Sequence, residues 1–209
     1  MRYHNDGGYQ KRLYCADKSS SALTFFPFTS ETTIIHGAGH RSLAIEIERK
    51  YLVVGSSWRQ SLKHACHIRQ GYLTTGDAVS VRVRITDETT ATLTVKSPKS
   101  GLSRFEFEQE ISLREGLTLM KMCNGNAIEK VRYDVEWAGC VWEIDDYRGR
   151  NHGLVVAEIE LCDEAQSFRR PAWLGEEVTG VPQYQNTHLA LRPFQTWPEH
   201  VQTLEAVRT

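Results

Sequence analysis

Residues 44–53 read AIEIERKYLV, and the alternation in this stretch decides the fold. In an extended strand, side chains at i, i+2 and i+4 share one face. Glu46, Glu48 and Lys50 therefore lie on one side, and Ile45 and Ile47 on the other. The same parity recurs along the chain. Arg82 and Arg84 oppose Val81, Val83 and Ile85. Lys96 shares a face with Thr92 and Thr94, against Leu93 and Val95. Arg104, Glu106, Glu108 and Glu110 oppose Phe105 and Phe107. Lys130 and Arg132 oppose Val131 and Tyr133. Glu143 and Asp145 oppose Trp142 and Ile144, and Glu158 and Glu160 oppose Ile159 and Leu161.

Seven strands thus carry charge on one face and large apolar groups on the other. A two-layer fold with its charges in water is the plain reading. Against it, solvated faces mix Thr, Ser, Gln and Lys, whereas these positions are dominated by full charges. Neighbouring like charges such as Arg82/Arg84 and Glu158/Glu160 cost energy unless something between them compensates. The reading adopted is an α+β fold: about seven or eight mostly antiparallel strands closed into a barrel with a charged interior, its apolar outside covered by the helices. Short connections between the strands make the sheet antiparallel.

Helices are predicted over 56–68, on the spacing of Trp58, Leu62 and Ala65, and over 113–122, where Leu113, Leu117 and Met120 share a face. A short helix is expected before Pro171, and another is opened by Pro182. Gly76-Asp77, Pro98–Gly101, Ala138-Gly139 and Arg148–Gly153 read as turns. Residues 1–41, with three serines at 19–21 and no periodicity, read as a poorly ordered extension. One domain covers 42–200, and 201–209 form a tail.

The chain has 209 residues, with 25 Lys and Arg against 26 Asp and Glu, a net charge of −1. That excludes binding of nucleic acid through bulk positive charge. Five widely spaced cysteines without a CxxC pair suit reduced thiols in a cytoplasm rather than zinc or a disulfide framework. His64 and His67 lack a third metal ligand nearby. No apolar run approaches about 18 residues, so no membrane helix is expected. Ala22–Phe28, broken by Pro27, does not read as a secretion leader.

Within the lumen the candidate cations are Lys50, Arg82, Arg84, Lys96, Arg104, Lys130 and Arg132. The candidate anions are Glu46, Glu48, Glu106, Glu108, Glu143, Asp145, Glu158 and Glu160. Seven against eight nets −1, which does not by itself attract a triphosphate. One or two Mg²⁺ or Mn²⁺ ions on the carboxylates reverse the sign. The Arg forks and Lys heads then suit phosphate oxygens.

EIERKYLV (46–53) resembles the ExExK signature of the CYTH superfamily, the triphosphate tunnel metalloenzymes. The similarity continues in order through VRVR (81–84), TVKS (94–97), RFEFE (104–108), EKVRY (129–133), WEIDDY (142–147), LVVAEIEL (154–161), WLGEEVTG (173–180) and YQNTHLA (184–190). It covers about 42–195. The resemblance implies a closed eight-stranded antiparallel β-barrel, a tunnel with a charged lumen and flanking helices, and metal-dependent chemistry on triphosphates. It makes Glu46 and Glu48 metal ligands, completed by Glu158 or Glu160, and gives Lys50, Arg82, Arg84, Lys96 and Arg132 to the phosphates. Glu106, Glu108 and Asp145 would serve a second metal or orient water, with Lys50 counted in the catalytic set. Arg104 and Lys130 join the phosphate-binding set on parity, and Glu143 is the carboxylate with the weakest assignment.

The expected activity is hydrolysis of inorganic tripolyphosphate to pyrophosphate and phosphate. Alternatives are a class IV adenylate cyclase, a thiamine or nucleoside triphosphatase, or a non-enzymatic polyphosphate- or nucleotide-binding module. The partner is a small-molecule triphosphate, with neither nucleic acid nor membrane, and a homodimer is compatible with a small barrel. Trp58 is read as a core or lid anchor before a stacking platform. Trp137, Trp142 and Trp173 are read as packing between helices and barrel, Tyr184 and Asn186 as ties of the last helix, and His188 as a packing residue.

Overall fold

The computed structural model describes residues 41–75 and 79–198. The expected extension up to residue 40, the Gly76-Asp77 turn and the 201–209 tail lie outside the described residues. Nine strands form one sheet: β1 (Arg41–Val53), β2 (Leu62–Thr75), β3 (Ser80–Thr86), β4 (Thr90–Lys96), β5 (Ser103–Ile111), β6 (Ala127–Trp137), β7 (Cys140–Tyr147), β8 (Val155–Glu160) and β9 (Leu174–Glu177). The order is β5-β4-β3-β2-β6-β7-β8-β1-β9, and β5 also pairs with β1. That last pairing closes eight antiparallel strands into a barrel, and β9 adds to β1 beside β5.

The register carries the parity argument around the ring. Glu46 faces Arg104, Lys96 faces Glu106, Arg82 faces Thr94, Arg132 faces Asp145, Glu143 faces Glu158, and Lys50 faces Glu158 from the other side. Residues opposite one another share a face. The seven strands that alternate charged and apolar residues therefore turn their charged sets inward.

The helix expected over 56–68 is not formed. A single 3₁₀ turn (Ser57–Ser61) buries Trp58, and the chain then enters β2. Cys66, Ile68, Gln70 and Tyr72 point inward there with no charge among them, so the parity signal was silent. The helix before Pro171 is also missing, since residues 161–173 run as turns and coil. α1 (Leu113–Met122) forms as expected behind a capping box of Ser112 and Glu115. Its contact face centres on Gly116, 37% of Leu117 staying exposed. α2 (Asn186–Leu191) follows a 3₁₀ turn that begins at Pro182.

Cover over the barrel is uneven. Tyr51, Val135, Trp142, Ile144 and Ile159 on the outer face pack with Trp58, Trp173 and Phe168. These covering residues come from a turn and a coil, not from helices, which corrects the expectation for Trp142 and Trp173. α1 lies on β3 and β4. On β1 and β5, Ile45 and Phe105 face each other yet remain 62% and 60% exposed. The expected helical sheath is absent there among the described residues. A second cluster fills one end of the barrel interior. Inward-facing Tyr72, Ile128, Tyr147 and Val156 pack with Leu189 and Ala190 of α2 and with Trp197. The lumen is thus charged over part of its length and apolar at the α2 end, with the Tyr147 hydroxyl 2.6 Å from Asn186 Oδ1.

Candidate active site

Twelve of the fifteen candidate charges line one cavity of about 900 Å³, measured out to solvent at its mouth. Glu46, Glu48, Lys50, Arg82, Arg84, Lys96, Arg104, Glu106, Arg132, Glu143, Glu158 and Glu160 are its charged walls. Lys130 and Asp145 sit behind the wall, 1% and 0% exposed. Glu108 is half-buried and meets Arg82 at 3.5 Å and Thr94 at 3.1 Å.

Acids and bases are interleaved in two groups. Towards the β4–β5 side, Lys96 Nζ lies 2.8 and 3.0 Å from the two oxygens of Glu46 and 2.5 Å from Glu106. Arg104 reaches Glu46 at 2.5 Å and Glu48 at 3.4 Å. Burial raises the Glu46 carboxyl, but Lys96 and Arg104 together pull it well below its ordinary value. Burial, followed by Arg82, lowers the Lys96 ammonium. The β6–β8 side is centred on Arg132, which bonds both Asp145 oxygens at 2.7 Å, Glu158 at 2.9 Å, and Glu143. Lys130 bonds Asp145, and Lys50 meets Glu158 at 2.7 Å. Burial and then Arg132 push the Lys130 ammonium down to about 7. Arg132, ahead of Lys130, holds the Asp145 carboxyl below its usual range against the effect of burial.

Arg84 differs from the other cations. Among the described residues no ion pair joins its guanidinium, and its buried Nε has no hydrogen-bond partner. Burial, then Arg82 and Arg132, lower its pKa. A desolvated, unpaired guanidinium is costly unless a ligand completes it.

Several lining residues escaped the parity reading. Tyr72, on β2, lines the cavity and accepts a hydrogen bond from Gln70 Nε2 at 2.9 Å. The Cys66–Ile68–Gln70–Tyr72 alternation could have revealed both had 56–68 not been read as helical. Lys99, placed in a turn, reaches Glu48 at 3.2 Å. Thr179, Gln185 and Asn186 also contribute to the wall. Trp58 instead packs outside the barrel, its ring 5.0 Å from Tyr133.

The donor set fits a hard divalent cation, being all carboxylate. Glu48 faces Glu160 directly across β1 and β8. Among the described residues no group of three or more acids, His or Cys is already gathered for a metal, because Lys and Arg heads stand between the acids. Binding a cation there means shifting those heads, which a phosphate ligand would draw away.

The chain belongs to the CYTH domain family, whose model matches residues 44–190. An inorganic triphosphatase of Acetivibrio thermocellus is 41% identical over 155 residues, covering 74% of this chain and 98% of that protein. An inorganic triphosphatase of Nitrosomonas europaea is 39% identical over 150 residues, covering 70% and 97%. The crystal structure of the inorganic triphosphatase NE1496 superposes with a TM-score of 0.52 at 37% identity, over 70% of this chain and 94% of that one.

Proposed function

We propose that this chain hydrolyses inorganic tripolyphosphate to pyrophosphate and phosphate with a divalent cation. The observation that carries the reading is a cavity lined by both bases and carboxylates inside a CYTH barrel. The relatives named inorganic triphosphatase support the substrate.

Arg82, Arg84, Lys50, Lys96 and Arg132 bind the phosphate oxygens in this reading, and Arg84 has no competing partner to give up. Lys96 and Arg104 leave Glu46 as they turn to the phosphates, which frees the carboxylates of β1. Glu46 and Glu48, with Glu158 or Glu160, would hold Mg²⁺ or Mn²⁺. An ion held there would supply positive charge against the phosphate oxygens and would lower the pKa of a water. Glu106, which lines the cavity, would orient the attacking water, while Glu108, outside the lining, would hold Arg82. Asp145 has both oxygens engaged and lies behind the wall, so its part is to hold Lys130 and Arg132 in place. Phosphoryl transfer asks for positioning and charge rather than covalent help, which a fixed charged lumen provides.

Tyr72 is the aromatic ring in the cavity lining, and its hydroxyl is bonded to Gln70. That lining offers little to a nucleobase, which favours an inorganic substrate over ATP or thiamine triphosphate. The buried free thiols Cys66 and Cys123 fit a cytoplasmic setting. No helix among the described residues is long and apolar enough to cross a membrane. Phosphate release from tripolyphosphate, ATP, thiamine triphosphate and pyrophosphate, with each metal and with chelator, tests the proposal. Tripolyphosphate should be the best substrate, and chelator should abolish release. Faster conversion of ATP to cyclic AMP would overturn it.

A further inference from the structure

We infer that Thr179 is a positioning residue that fixes Lys50 in the lumen by holding its backbone amide. The inference rests on the proposed reading of Lys50 as a phosphate-binding cation.

The need for such a device follows from the register of β1. One edge of β1 pairs with β5 as far as Ile47, opposite Ser103. Pairing on that edge resumes with β9 at Tyr51, opposite Glu177. Between them, Glu48 to Lys50 have no ladder partner on that edge among the described residues. A buried backbone N–H left unpaired is costly, so something must take it. The Lys50 N–H donates to Thr179 Oγ1 at 3.0 Å, and the Lys50 carbonyl accepts from Val178 N at 2.8 Å.

The hydroxyl is itself oriented. A hydroxyl has one proton to give. Thr179 gives it to Glu177 Oε1 at 2.8 Å, which leaves its lone pairs for the Lys50 amide. The same Glu177 oxygen takes Arg49 Nη1 at 3.2 Å. Arg49 and Tyr51 are the outward neighbours of Lys50. Glu177 and Thr179 therefore grip two consecutive residues, Arg49 by its side chain and Lys50 by its backbone. The Lys50 head is then aimed at Glu158, 2.7 Å away. Neither Thr179 nor Glu177 carries chemistry by this account. They set where the Lys50 ammonium sits.

Thr179→Val keeps the shape and removes the acceptor. With tripolyphosphate and Mg²⁺, KM should rise about fivefold to tenfold, the size of one lost hydrogen bond, with kcat changed less than about threefold. Thr179→Ser should return KM to within about twofold of the parent. In a Lys50→Ala background, Thr179→Val should add nothing, because the residue it positions is gone. Melting temperature is followed throughout. If Thr179→Val does not fold, Thr179→Ala, which leaves space for water at the amide, replaces it under the same expectations. Parental KM in the valine variant, failure of serine to restore it, or an undiminished loss in the Lys50→Ala background each overturns the inference. Parental activity of Lys50→Ala alone would instead sink the role given to Lys50, which is a separate result.

Discussion

Glu48 of β1 and Glu160 of β8 stand directly opposite one another inside the barrel, a pair of like charges where a ladder ordinarily sets opposite ones. Lys99 and Arg104 both crowd onto the same Glu48 oxygen, at 3.2 and 3.4 Å. Such a pair is a liability that a divalent cation would convert into a binding site.

Glu160→Gln separates the two effects. With chelator, the melting temperature should hold or rise by up to about 2 °C, the scale of one relieved cross-strand repulsion. The upward shift that Mg²⁺ or Mn²⁺ gives the parent should shrink, because metal binding stabilises the native state by mass action. Thermal melts with and without metal check both halves. An unchanged metal shift would remove Glu160 from the ligand set.

Arg84 is held in the wall without a direct ion-pair partner, so it weakens the empty protein. Arg84→Met should raise the ligand-free melting temperature by about 3 °C, which corresponds to about 1 kcal/mol in a chain of this size. The same change should lower kcat/KM for tripolyphosphate about 30-fold or more, the loss of a charge-assisted contact. A variant that is both less stable and fully active would contradict this account.

Lys130 gives the fold a pH dependence of known sign. Its ordinary value is 10.5 and its folded value is about 7. Between those limits the unfolded chain binds the extra proton, so stability climbs as pH rises from about 7 towards 10. Lys130→Met removes this group, and the climb should flatten relative to the parent. Urea midpoints at pH 7 and 9.5 for both proteins measure it. Equal climbs would show that Lys130 does not titrate in that window.

Gly116 lies where α1 meets β4. A Cβ there would come within 2.5 Å of the Ala91 Cβ. Ala ordinarily favours a helix over Gly by about 1 kcal/mol. Gly116→Ala should nevertheless destabilise by about 1–3 kcal/mol through overpacking, seen as a lower melting temperature. Adding Ala91→Gly should recover most of it. A stabilised single variant would show that α1 can shift freely on the barrel.

How much was legible in the sequence varied with the strand. Where a strand alternates charged and apolar residues, as in Glu46–Ile47–Glu48 or Phe105–Glu106–Phe107, parity fixed the lumen face and the register followed. β2 was misread because its inward face is Cys66, Ile68, Gln70 and Tyr72. Without charge contrast, the spacing of Trp58, Leu62 and Ala65 imitated a helix. The interleaving of acids with bases was also out of reach. Parity tells which face a residue takes, but not that Lys96 bridges Glu46 and Glu106. Asp145 and Lys130 shared the parity of the lining residues yet fell behind the wall, since depth along the barrel depends on strand stagger.

α2 and Trp197 close one end of the barrel over Tyr72, Ile128, Tyr147 and Val156. A stoppered vessel has a single doorway, shared by arriving substrate and departing product. A longer phosphate polymer could offer only its terminus and could not be threaded through. Under the proposed function the cap would make this barrel a reader of chain ends, with its reach set by the depth from the mouth to the apolar floor.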